Sequence, residues 1–146
     1  MFTESVTIKG NLHVTLLDEA GVIKDSRKVN NLVVAVGKDL IASRLVGNSL
    51  PIPSHMALGS SSTAASTSQT ALGSELGRVS LDSTNRATNT ITYVATFGAG
   101  TATGTVEEAG IFNDGTTGNM LCRTTFSPVN KAAGDTIVVT WNVTVA

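Results

Sequence analysis

The chain has 146 residues, the size of one domain able to bury a core without metals or disulfides. Only 14% of them are charged, against roughly 25% in ordinary soluble domains. The net charge is −1 and the basic residues are scattered, which argues against nucleic-acid binding, since that needs a concentrated positive footprint.

Thr, Ser, Gly, Ala and Asn take the place of the missing charge. They favour strands, turns and neutral surfaces of the kind found in interface cores. The single cysteine, Cys122, permits no intrachain disulfide and suits a reducing compartment. Met1-Phe2-Thr3-Glu4-Ser5 does not read as a leader, and the longest apolar run, residues 32–36, is far shorter than the ~18–20 residues of a membrane span. No membrane association is expected.

Val6, Ile8, Leu12, Val14 and Leu16 share one parity, and Thr7, Lys9, Asn11, His13 and Thr15 the other, as in a half-buried strand. Gly10 breaks the apolar parity and reads as a bulge. Asp18-Glu19-Ala20-Gly21 is a turn and residues 22–29 return, making residues 4–29 an N-terminal hairpin suited to act as an arm or interface element. Asn30-Asn31 offers a helix N-cap. Val33, Val36, Leu40, Ile41 and Leu45 recur at helical spacing, which predicts one α-helix near residues 32–46, stopped by Gly47-Asn48, Pro51 and Pro53.

His55 to Leu58 reads as a short strand. Residues 59–68 form a nearly chargeless loop, expected to be mobile unless a partner covers it. A helical turn is expected within 70–77 and a strand over 79–83. In the C-terminal half, Ile91, Tyr93, Ala95 and Phe97 alternate with threonines and Val94. Strands over 105–112 and 120–126 flank the turn Asp114-Gly115-Thr116-Thr117-Gly118-Asn119. Ile137, Val139, Trp141, Val143 and Val145 share one face of the last strand. The expected fold is mainly β: a single domain over 1–146, a β-sandwich of jelly-roll type with one helix.

Residues that could carry chemistry are few. His13 and His55 lie far apart in sequence, and no Gly-x-Ser-x-Gly elbow accompanies them. Arg123 beside Cys122 could lower the thiol pKa, although a packing role for Cys122 is favoured. Glu107-Glu108 are adjacent on a strand and so point to opposite faces, which suits a strand edge or an interface contact rather than a shared substrate. The Gly98-to-Gly104 run lacks the following helix that a phosphate site requires. Asn142-Val143-Thr144 matches a glycosylation sequon but lies within a strand. Trp141 is read as a core anchor. No catalytic, cofactor-binding or metal-ligating residue is assigned, and the protein is expected not to be an enzyme.

Two stretches carry a resemblance. One is His55-Met56-Ala57-Leu58-Gly59, then the Ser/Thr/Ala loop and Thr70-Ala71-Leu72-Gly73-Ser74-Glu75-Leu76-Gly77-Arg78. The other is Val106-Glu107-Glu108-Ala109-Gly110-Ile111-Phe112-Asn113, continuing to Met120-Leu121-Cys122-Arg123-Thr124-Thr125-Phe126 and Pro128-Val129-Asn130-Lys131. From about residue 30 onward the chain resembles small virion proteins of tailed bacteriophages and a module of phage tail-collar fibre proteins. Those fibre proteins usually continue into a shaft or tip, whereas this chain ends at Ala146 after its last strand, so the resemblance leans to a capsid decoration or cement protein. It implies binding to the major capsid protein, homo-oligomers with a trimer favoured, and a place on the capsid surface of a virion assembled in the host cytoplasm. The hairpin and loop 59–68 would be the gripping segments. A tail-fibre or tail-adaptor role, with tail proteins as partners, is the alternative. A carbohydrate-binding jelly-roll module is the third reading and would need exposed aromatics.

Overall fold

The computed structural model describes residues 4–47 and 50–146. Ten strands and one helix form among the described residues, in the order β1 (Ile8–Leu17), β2 (Ile23–Asn30), β3 (Leu32–Val33), α1 (Ala35–Leu45), β4 (His55–Gly59), β5 (Glu75–Ser80), β6 (Ser83–Ala87), β7 (Thr90–Phe97), β8 (Gly104–Phe112), β9 (Met120–Lys131) and β10 (Thr136–Val145). They make two antiparallel five-stranded sheets, β2-β1-β10-β7-β6 and β3-β9-β8-β4-β5, called here sheets A and B. The mainly-β expectation therefore holds. The core lies between the sheets and draws on both: Leu12, Val14, Phe97, Ile137 and Trp141 from A, and Met56, Leu58, Val106, Ile111 and Val129 from B.

The alternation read along β1, β7 and β10 is the alternation built. β1 pairs with β10 from Ile8↔Val145 to Leu17↔Thr136, so the hairpin's first strand is an internal strand of sheet A and β2 is the sheet's edge. Gly10 is not a bulge. It sits in unbroken register opposite Val143, and a Cβ there would come within 1.7 Å of Asn31 Oδ1, so the missing side chain makes room for Asn31.

The helix is shorter than predicted. Leu32 and Val33 pair with Arg123 and Cys122 as β3, and Val34 is the N-cap, without a side-chain hydrogen bond. The apolar, β-branched start of the segment is taken by the sheet instead of by a helical first turn. Asn31 packs over Gly10 and does not cap the helix. α1 lies so close to β9 that a Cβ on Gly37 would stand 2.0 Å from the Leu121 carbonyl oxygen. Gly37→Ala should therefore destabilise the protein by about 1–3 kcal/mol, although Ala favours a helix over Gly by roughly 1 kcal/mol. A urea titration against wild type measures the sign directly.

No helical turn forms within 70–77; β5 begins at Glu75 and pairs with β4. The strand expected over 79–83 is instead the end of β5 in sheet B and the start of β6 in sheet A. Val79 and Leu81 both pack on the core while the chain changes sheets, and this mimics one continuous apolar strand. β9 runs on to Lys131, past Pro128. Its register opposite β8 moves from Val129↔Val106 to Thr125↔Glu108, so three residues of β9 bulge against Glu107 alone.

Candidate interaction surfaces

The outer face of sheet B is roofed by its own chain. Arg78, Ala57, Gly110 and Arg123 stand opposite one another on β5, β4, β8 and β9. The small residues in the middle of this row leave room for the loop between β4 and β5: a Cβ on Gly110 would lie 3.0 Å from Leu72 Cδ2. Glu108, two residues from Gly110, is 0% exposed and forms an ion pair of 2.9 Å with Arg123, also 0% exposed. The Glu108 carboxylate further accepts hydrogen bonds from the backbone N–H groups of Ser61, Gly73 and Ser74 at 2.8–3.0 Å. Arg123 donates to the Thr63 carbonyl and to Gln69 Oε1, and the Ala35 N–H donates to the Thr67 carbonyl.

Buried charge is tolerable only when paired and fully hydrogen-bonded, and here the loop backbone supplies the remaining partners. This revises one expectation: Glu108 is an internal anchor instead of an edge or interface contact. Loop 59–68 is a surface loop as expected, with residues 62–64 and 66–68 exposed, and it is tethered to sheet B through Ser61 and Thr63 and to α1 through Thr67.

The other candidates fall as follows. Cys122 is fully buried in the core, where desolvation pushes its thiol well above the ordinary value. Its neighbour Arg123 lies with Glu108 on the roofed side and does not activate it. His13 is exposed on the outer face of sheet A. His55 lies between the Ser54 hydroxyl, 2.8 Å from Nδ1, and the Ser80 hydroxyl, 3.3 Å from Nε2. Nδ1 thus meets a hydroxyl where a nucleophile-activating histidine has an orienting carboxylate. Nearby, Asp114 closes the turn after β8 by accepting from the N–H groups of Thr116 and Thr117, which hold its carboxyl below the usual range. The Arg78 guanidinium stacks over the Phe112 ring at 3.8 Å and donates to the Asp114 and Thr117 carbonyls. Trp141 is 0% exposed in the core. Among the described residues no three or more His, Cys, Asp or Glu side chains gather as metal ligands, and no helix is long and apolar enough to cross a membrane.

The outer face of sheet A is open. One row crosses all five strands: Asn30, Asn11, Asn142, Thr92 and Asn85. The Thr92 hydroxyl donates to Asn142 Oδ1 at 2.8 Å, and the Thr90 and Thr144 hydroxyls lie 3.0 Å apart. Every outward residue of β10 and β7 from Thr136 to Thr144 and from Thr90 to Thr96 is Thr, Asn or Val, none of them charged. Lys9, His13 and Lys28 lie to one side, on β1 and β2, where a polar groove runs between His13, Lys28, Asn30 and Asn142.

A second, apolar groove of about 610 Å³ opens at the end of the sandwich where β1 starts and β10 finishes. Leu40, Ile41 and Leu45 of α1 line it together with Ile52, Ile91, Val143 and Val145, and Arg44 and Arg86 flank it. Sequence reading missed both the groove and the roof. Their residues are scattered from Ile8 to Val145, and only strand pairing brings them together.

Comparison with protein-family models, with curated proteins and with solved structures finds no match.

Proposed function

We propose that the protein is a non-enzymatic structural component of a phage virion, which decorates the capsid and stabilises it by binding the major capsid protein as a homo-oligomer. The observation that carries this reading is the contrast between the two sheets. One is roofed by its own loop; the other presents, on its adjacent strands β10 and β7, a neutral outer face of Thr, Asn and Val that no element covers among the described residues, with Lys9, His13 and Lys28 to one side on β1 and β2. Charge-poor surfaces of this kind suit the desolvated centre of a protein interface. The central pairing of the first and last strands, β1 and β10, and the repeated crossing between sheets support a jelly-roll class. Five of the six aromatic residues, Tyr93, Phe97, Phe112, Phe126 and Trp141, are buried, which disfavours the glycan-stacking alternative.

The stabilisation works by mass action: a protein that binds only the assembled shell lowers that state's free energy by its binding free energy, repeated over many symmetry-related copies. Because the face is uncharged at its centre, binding should survive a rise to about 1 M salt, where the Debye length shrinks to about 3 Å. The test is co-sedimentation with tail-free phage heads lacking the protein. Saturable pelleting at a fixed ratio to capsid subunits, retained at high salt, is the expected result. Pelleting with isolated tails instead would transfer the assignment to a tail adaptor, and binding to neither would overturn the virion reading.

A further inference from the structure

The apolar groove and the β1–β2 hairpin tip stand at opposite ends of sheet A. Ile8 lines the groove and Leu17 leads into the turn, so the ten residues of β1 separate them by roughly 30 Å at ~3.4 Å per residue. Each carries what the other lacks. At the tip, Val22 and Ile23 are adjacent large apolar side chains, 59% and 65% exposed. Beside them Asp18 and Glu19 enter no ion pair among the described residues, whereas Lys24 pairs with Asp135 and Asp25 with Arg27. At the groove, an apolar floor is flanked by Arg44 and Arg86, which donate to the Leu50 and Thr88 carbonyls and likewise pair with no carboxylate among the described residues. Leu45, 85% exposed, and Ile52 extend the apolar surface at its mouth.

We propose that the groove receives the hairpin tip of a second copy of this chain, with Val22 and Ile23 on the apolar floor and Asp18 and Glu19 facing Arg44 and Arg86. Because tip and groove are different surfaces, each copy gives a tip and takes a tip, and the contacts saturate only in a closed assembly, either a reciprocal two-fold dimer or a larger ring. The proposal deepens the assembly part of the reading above. It is tested on the isolated protein, so its failure leaves binding to heads untouched.

Sedimentation velocity of the full chain over a concentration series should show self-association to a dimer or larger closed assembly, weakened by salt. Ile23→Asp and Leu45→Asp place a carboxylate on exposed positions, so both variants should keep the wild-type circular dichroism melt. Each alone should weaken association on the order of tenfold or more. An equimolar mixture of the two has one intact tip and one intact groove, and should form dimers that grow no further. A wild type that stays monomeric throughout the series assigns the groove to a different protein and overturns the proposal. So do single variants that associate like wild type, or a mixture that fails to dimerise.

Discussion

Arg123→Met should cost about 3–5 kcal/mol, because it leaves the Glu108 carboxylate buried without its counter-charge. Net stabilities of single domains run to about 5–15 kcal/mol, so the variant will sit near the edge of folding. The damage should also be local. With Arg123 gone, the Thr63 carbonyl and Gln69 lose their shared donor, and the loop over sheet B loses its inner clasp. Limited proteolysis should then cut within residues 61–74 before the sheets are attacked. The double variant Glu108→Leu/Arg123→Met removes both charges and should recover part of the lost stability in urea. It should not restore protease resistance, because the N–H groups of Ser61, Gly73 and Ser74 still lack their acceptor. A double variant no more stable than the single one would show that the ion pair itself does not set the cost.

Trp141→Ala is the second large effect, about 3–5 kcal/mol for truncating a fully buried aromatic. Trp141 pairs with Leu12 on one side and Tyr93 on the other, so the cavity would open at the middle of sheet A. Trp141→Phe should recover most of the loss, since the indole N–H it discards has no hydrogen-bond partner among the described residues. Thermal melts followed by circular dichroism give both values without relying on the chain's only tryptophan as the probe.

Sheet A was legible in the sequence except for its edge strand β6, and sheet B only in part, for one main physical reason. Where one face of a sheet meets water, its strands must alternate, and Leu12-His13-Val14-Thr15 or Val139-Thr140-Trp141-Asn142 show it plainly. β8 and β9 are covered on both faces, so Glu108, Ala109, Gly110, Ile111 and Phe112 are all buried and the period is lost. A carboxylate in such a run reads as exposed until Arg123 and a loop 34 to 47 positions away in sequence are placed around it. The helix was found but started too early, because Val33 and Val34 fit a strand and a helix equally well by pattern. Cys122 and Trp141 were placed correctly as core residues. The apolar groove had no sequence signal, since its wall joins α1 to four strands of sheet A and to Leu121 of β9.

The position of β10 has a consequence for synthesis. It lies between β1 and β7 in the middle of sheet A, yet it follows every other strand in chain order. Until it leaves the ribosome, sheet A exists as two unjoined hairpins, β2–β1 and β6–β7, each showing an open edge. Open edges recruit other chains, and pairing between strands as distant as β1 and β10 is slow. The nascent chain is therefore most exposed to misassembly just before Thr136–Val145 emerges, and insertion of that one strand both joins the hairpins and removes the hazard.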